Sequence, residues 1–262
     1  MKKVIFGAAA VCAMTIAGNA TAHIGIAREN VFALGNAPRE YLEGSSASLG
    51  IQLPHDCSNA DSTQHFPTTD VVVIFPNAEN LNNFITTDSS GGIHGANAMM
   101  GIKARVSANW KKVMVVKGAV EPYYSHGEKT EDTRAIKWLR GMVDNDHYDN
   151  LEIKTTFPKI NPDSCVGSLK IQVPAIQYCK NGYAIAWIGT SGSALFPLLG
   201  PANPKVRLTE NFTASFRVVR DLENNPLPAE CGEPTEEVVR PSDADIDAFG
   251  SRRAVQSRVL SW

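Results

Sequence analysis

Apolar residues recur in this chain with a period of two, in short runs set off by Pro, Gly, Asn and Asp. That pattern restricts the fold more than any other feature. Ala47, Leu49, Ile51 and Leu53 alternate with Ser48, Gly50 and Gln52 until Pro54 stops the run, as a strand with one face in a core requires. Val71 to Phe75 is continuously apolar and largely β-branched up to Pro76, the composition of a central strand. Further strands are predicted at 111–117, around Ile136 and Trp138, through Leu151, Ile153, Thr155 and Phe157, and through Leu169, Ile171 and Val173. Tyr183, Ile185 and Trp187 follow a turn signal at Asn181-Gly182, and Val206, Leu208 and the 216–219 run close the sheet. Strands at this density, with no long helical period between them, predict an all-β sandwich of antiparallel sheets. Segments 58–69 and 77–108 read as long loops, the second rich in Asn, Gly, Ser and Thr. From about Asp221, four prolines among acidic residues mark 221–262 as an irregular C-terminal tail, partly disordered or carrying one short helix. Ser242 or Asp243 would cap that helix, and Ile246, Phe249 and Ala254 would share a face.

The first residues read as an export signal, 1–22. Lys2 and Lys3 precede an apolar stretch from Val4 to about Ala17, too short for a membrane span, and Ala20-Thr21-Ala22 fits a cleavage site. Cys12 lies inside the apolar stretch, which argues against a lipoprotein. Cleavage leaves roughly 240 residues, enough for one sizeable domain and a tail. The expected location is therefore extracytoplasmic, periplasmic or secreted. The net charge of −2 supplies no basic footprint for nucleic acid, and no transmembrane segment is expected after cleavage. Cys57, Cys165, Cys179 and Cys231 form an even set in an exported chain and predict two disulfides, with three pairings open.

Cleavage after Ala22 places His23 at the start of the mature chain. A terminal histidine offers two donors on one residue, the α-amine and ring Nδ1. The amine has an ordinary pKa near ~8, so a metal displaces its proton at neutral pH. Nitrogen donors in a flattened arrangement suit Cu(II). The remaining histidines, His55, His65, His94, His126 and His147, lack the close helical spacing of a zinc site and read as surface or turn residues. Asp144, Asp146 and Asp149 lack the Gly and terminal Glu of a calcium loop. Gly189-Thr190-Ser191-Gly192-Ser193 is not a nucleophile elbow, so no catalytic residues are predicted and the protein is not expected to be an enzyme.

Several segments, in order, resemble the YcnI-like copper-binding family of exported bacterial proteins. They are His23-Ile24-Gly25-Ile26 after Ala22; Ile51-Gln52-Leu53-Pro54-His55-Asp56-Cys57, with Asp56 where the family usually has Gly; and Pro67-Thr68-Thr69 before the 71–76 strand. Ile136-Lys137-Trp138, Asp146-His147-Tyr148-Asp149, and Val173 to Cys179 followed by Gly182 and Trp187 complete the set. The resemblance covers roughly 22–220, giving a domain over 23–220. It implies an immunoglobulin-like β-sandwich holding one Cu(II) on the terminal histidine. His23 then supplies amine and imidazole, and Trp187 a π contact that shields the ion. A nearby carboxylate is also implied, with Glu43 the candidate and Glu29 the fallback. The resemblance further implies bridges Cys57–Cys179 and Cys165–Cys231.

The expected function is Cu(II) delivery, storage or buffering, with other copper-trafficking proteins as partners. Two rival classes share the sequence features. A copper-dependent polysaccharide monooxygenase also begins at a histidine on a β-sandwich but needs a second histidine beside it, for which His55, His126 and His147 are the candidates. A metal-free binding or adhesion module would fit acidic loops and a polar tail equally well.

Overall fold

The period-two runs pair with one another as the alternation requires. The structure, a computed structural model, describes residues 24–26, 39–59, 61–77, 94–95, 97–196, 205–208 and 212–252. In chain order the strands are β1 (Gly25–Ile26), β2 (Arg39–Leu42), β3 (Ser46–Leu53), β4 (Cys57–Ser58), β5 (His65–Phe66), β6 (Thr68–Ile74), β7 (His94–Gly95), β8 (Met100–Ala104) and β9 (Lys112–Tyr124). There follow β10 (Glu128–Val143), β11 (Asp149–Thr156), β12 (Val166–Val173), β13 (Ala175–Cys179), β14 (Ala184–Trp187), β15 (Val206–Leu208), β16 (Ala214–Val219), β17 (Thr235–Val239) and the helix α1 (Asp243–Phe249). One sheet has seven strands, ordered β15-β14-β13-β6-β10-β9-β7. Two have four, β1-β3-β11-β8 and β17-β12-β16-β2, and β4-β5 is a small hairpin.

The main core forms where inward-facing residues of these sheets meet. Val71 and Val73 of β6 and Ile136 and Trp138 of β10 join Leu49, Ile51 and Leu53 of β3 and Leu169, Ile171 and Val173 of β12 in one buried cluster. Residues of opposite phase in the large sheet, among them Val72, Ile74, Ile176 and Ala186, form a second cluster with Phe196 and Ile246 of α1. The continuous apolar run of β6 is thereby explained, because both of its faces are covered. Ser242 caps α1 by accepting from the Asp245 N–H at 3.1 Å, as the sequence predicts. The helix is pinned to the sheet by Arg134–Asp245 at 2.6 Å and by the Tyr178 hydroxyl, which donates to the Gly250 carbonyl at 2.8 Å. Asn181 and Gly182 adopt the positive φ values, 59° and 78°, that their turn signal demands.

Three expectations change. The expected loops contain strands, β5 within 58–69 and β7 and β8 within 77–108, with β8 hydrogen-bonded to β11. The tail contributes β17, which pairs in parallel with β12, so Val239 is core and not solvated tail. The sheets are also not wholly antiparallel, since β14–β15 and β16–β2 are parallel too. Apart from the β4–β5 hairpin, the partner lies far away in sequence, and no local pattern announces it. Disulfides join Cys57 to Cys179 and Cys165 to Cys231, the pairing implied by the resemblance. Among the described residues no helix is long and apolar enough to cross a membrane.

Candidate metal centre

The Leu53 end of the sandwich gathers the chemistry. Pro54 lacks an N–H and ends β3, so His55 and Asp56 leave the sheet, and the Cys57–Cys179 bridge then ties the chain to the end of β13. The β4–β5 hairpin sets His65 opposite Ser58. This brings His65 Nδ1 to 2.9 Å from the carboxylate oxygen Oδ1 of Asp56, whose side chain is 2% exposed while that of His65 is 44% exposed. His55 Nδ1 contacts the Asp56 carbonyl. Beneath this turn, Gln177 is fully buried. Its amide nitrogen donates to the His55 carbonyl and to Thr68 Oγ1, each at 2.7 Å, and its Oε1 accepts from Trp187 Nε1 at 3.3 Å. A buried amide with both ends used is a rigid positioning element. It links the His55–Asp56 turn to the indole.

Two other segments reach the same end. β1 runs antiparallel to β3 with Gly25 opposite Gln52, so its N-terminal side points toward Leu53, and Ile24 is buried in the main core. β11 begins with Asp149 opposite Leu53, which puts the turn between β10 and β11 at this edge. There His147 Nδ1 lies 2.5 Å from Asp144 Oδ1. The hydrogen bond and then the charge of Asp144 raise the His147 pKa above its ordinary 6.5, and Asp144 is lowered below 3.8, chiefly by the same hydrogen bond. The histidine's contribution is therefore complete below its ordinary value and is lost as pH rises through the raised folded value. The carboxylate's is complete above 3.8 and is lost as pH falls through its lowered value. In a pH titration followed by NMR, the His147 ring is expected to titrate above an ordinary histidine, and Asp144→Asn is expected to return it toward 6.5. An unshifted wild-type midpoint would contradict this geometry.

The sequence-predicted residues are only partly brought together. His23 and Glu29 lie outside the described residues. Trp187 is buried in the main core and joined to the Asp56 turn through Gln177. Glu43 is placed apart from this turn. It follows β2, and β3, an eight-residue strand roughly 25 Å long at ~3.3 Å per residue, separates it from the Leu53 end. Its carboxylate accepts from the Ile160 N–H at 2.6 Å, the Asp221 N–H at 2.7 Å and Asn225 Nδ2 at 3.0 and 3.1 Å. Four hydrogen bonds to one buried carboxylate make it a structural anchor between the loops at this end. Of the monooxygenase candidates, His126 sits in the tip between β9 and β10, at the opposite end, where His94 is paired with Tyr124. Asp56 and His65 escaped the sequence reading. Asp56 stood in a motif position as a substitution, and His65 is drawn in by a hairpin whose strands have only two residues each. Among the described residues no group of three or more His, Cys, Asp or Glu is placed to hold a metal.

Residues 93–205 match the family described as Domain of unknown function (DUF1775). A solved structure described as "Crystal structure of an uncharacterized protein from Nocardia farcinica reveals an immunoglobulin-like fold" is similar at 12% identity, over 68% of this chain and 91% of that one, with a TM-score of 0.34. No curated protein matches the chain. The chain is thus similar to this family over residues 93–205 of its 262.

Proposed function

We propose that this protein is an exported copper-binding protein that delivers, stores or buffers Cu(II), using a mature chain that begins at His23. One observation carries the reading: a buried carboxylate, Asp56, faces an imidazole at the end of the sandwich toward which β1 points from a buried Ile24. His23 directly precedes Ile24 in the sequence, and a mature chain beginning there would offer an amine and an imidazole as donors. The donor set suits the ion. Nitrogen donors with one carboxylate are what Cu(II) takes in tetragonal sites, and Asp56 offsets one of its two charges. Asp56 replaces Glu43 as the carboxylate of the site. Trp187, held by Gln177, supplies a flat apolar surface nearby, with no lone pair to compete for the metal. Two disulfides fit an oxidising compartment.

The mature protein is expected to take up one Cu(II), and one extra residue ahead of His23 is expected to abolish tight binding, because the amine becomes an amide. Asp56→Asn should weaken binding on the order of a hundredfold, about 2.7 kcal/mol at ~1.4 kcal/mol per tenfold. Competition titration against a chelator of known affinity measures both. Unchanged affinity in the extended variant would defeat the proposal. The role is handling of the ion and not catalysis, so peroxide-dependent oxidation of chitin or cellulose is expected to be absent.

A further inference from the structure

β9 has β10 on one side. On its other side, among the described residues, only the two-residue β7 pairs with it, at Tyr123 and Tyr124. The Asn97 side chain extends that contact by donating to the Glu121 carbonyl at 2.7 Å. From 112 to 118 no described strand lies on the outer side. An edge strand turns the N–H and C=O groups of alternate residues away from its neighbour, where an added strand can take them. The edge is regular here, since the register with β10 runs unbroken from Lys112 opposite Leu139 to Val116 opposite Ala135.

The side chains along this edge are of two kinds. Val113, Met114, Val115 and Val116 form an apolar run. Val113 packs against the main core and Val116 against the second cluster, as alternation across a sheet requires. Val115 is 45% exposed. Lys111 and Lys112 precede the run and Lys117 follows it, all three exposed. Among the described residues none of the three is paired with a carboxylate. The sequence has no Asp or Glu from 106 to 120, and the β10 residues opposite 112–117 include none. Both ends of the segment are anchored. Trp110 Nε1 donates to Asp149 Oδ2 at 2.7 Å, and Arg134 donates to the Ala119 carbonyl at 2.9 Å. A strand arriving at this edge meets a backbone already in place and has only itself to order.

We propose that the β9 edge takes an added strand from a partner protein, an extended apolar segment with an acidic residue at each end. The partner's backbone pairs with β9 over 112–117, and its β-branched side chains cover Val113 to Val116. Its carboxylates meet Lys111 and Lys112 at one end of the run and Lys117 at the other. A second copy of this chain using the same edge is disfavoured. An antiparallel β9–β9 ladder centred on the apolar run sets Lys112 of one copy against Lys117 of the other, and like charges directly opposite are destabilising. Copper is not needed for this contact.

The test titrates the mature protein with a synthetic peptide of about ten residues, alternating Val and Thr in the middle with Glu at both ends. Saturable binding is expected, with amide hydrogen exchange newly slowed over 112–118. The triple variant Lys111→Glu, Lys112→Glu, Lys117→Glu is expected to bind this peptide about tenfold more weakly or worse. It is also expected to bind a version ended by Lys, which a misfolded variant does not do. A central Pro in the peptide removes a ladder N–H and is expected to abolish binding. No binding by wild type overturns the proposal, and so does equal affinity of wild type and triple variant for the Glu-ended peptide. Equal affinity for the intact and the proline-bearing peptide means attraction by charge alone, and it also overturns the proposal. So does slow exchange over 112–118 in the free protein matching that of β10, because the edge is then already covered by the chain itself or by a second copy.

Discussion

Replacing Arg220 by methionine is expected to lower the unfolding free energy by about 3–5 kcal/mol, read as a fall in the urea midpoint at unchanged slope. Arg220 follows β16 and is buried. Its Nε donates to the Asn225 carbonyl at 2.7 Å. One terminal nitrogen donates to the carbonyls of Ser164 at 2.7 Å and Val166 at 3.2 Å. The other reaches the Pro162 and Pro226 carbonyls, each at 2.9 Å, and Asn225 Oδ1 at 3.0 Å. Asn225 in turn donates to both carboxylate oxygens of Glu43. A single guanidinium thus saturates the carbonyls of two crossing loops, and a buried carboxylate one residue away balances its charge. Methionine fills most of the volume but strands those acceptors, each costing about 1–3 kcal/mol where water cannot reach it. Arg220→Lys keeps the charge with three donors on one atom and lacks the planar fork, so it should recover only part of the loss. A loss under about 1 kcal/mol for the methionine variant would show that water replaces the guanidinium. Glu43→Gln should destabilise the same knot and leave Cu(II) affinity unchanged, which would separate Glu43 from the proposed metal site.

Removing the Cys57–Cys179 bridge is expected to have a comparable effect on stability and a second effect on the site. The double serine variant should lose about 2–5 kcal/mol, since the bridge closes a long loop of the unfolded chain; the two cysteines are 122 positions apart. Asp56 adjoins Cys57, and Gln177 lies two residues before Cys179, so the same change loosens both the carboxylate and the residue that holds the His55 carbonyl. Copper affinity should fall with it. Serine at Cys165 and Cys231 provides the contrast. That bridge ties the segment before β12 to the segment before β17, remote from Asp56, so stability should fall while affinity does not. Equal losses of affinity in the two double variants would mean that the effect comes from global loosening and not from the turn.

What the sequence determined by itself was the local half of this protein. Period-two alternation marked β3, β11 and β12, apolar continuity marked β6, Asn181-Gly182 marked a turn, and Ser242 marked a helix start. Each is a property of a few adjacent residues and of the backbone conformations they tolerate. Tertiary structure decided everything that depends on residues meeting across the chain. β8 and β17 became strands because an edge of β11 and of β12 was open to them. Glu43, plausible as a ligand by position, became an anchor because three donors from 160, 221 and 225 converge on it. Asp56 and His65, nine residues apart, became a facing pair because a hairpin folds back and a disulfide holds its root. Side-chain period is encoded along the backbone, whereas which buried carboxylate meets an imidazole and which meets backbone donors depends on how the sheets pack.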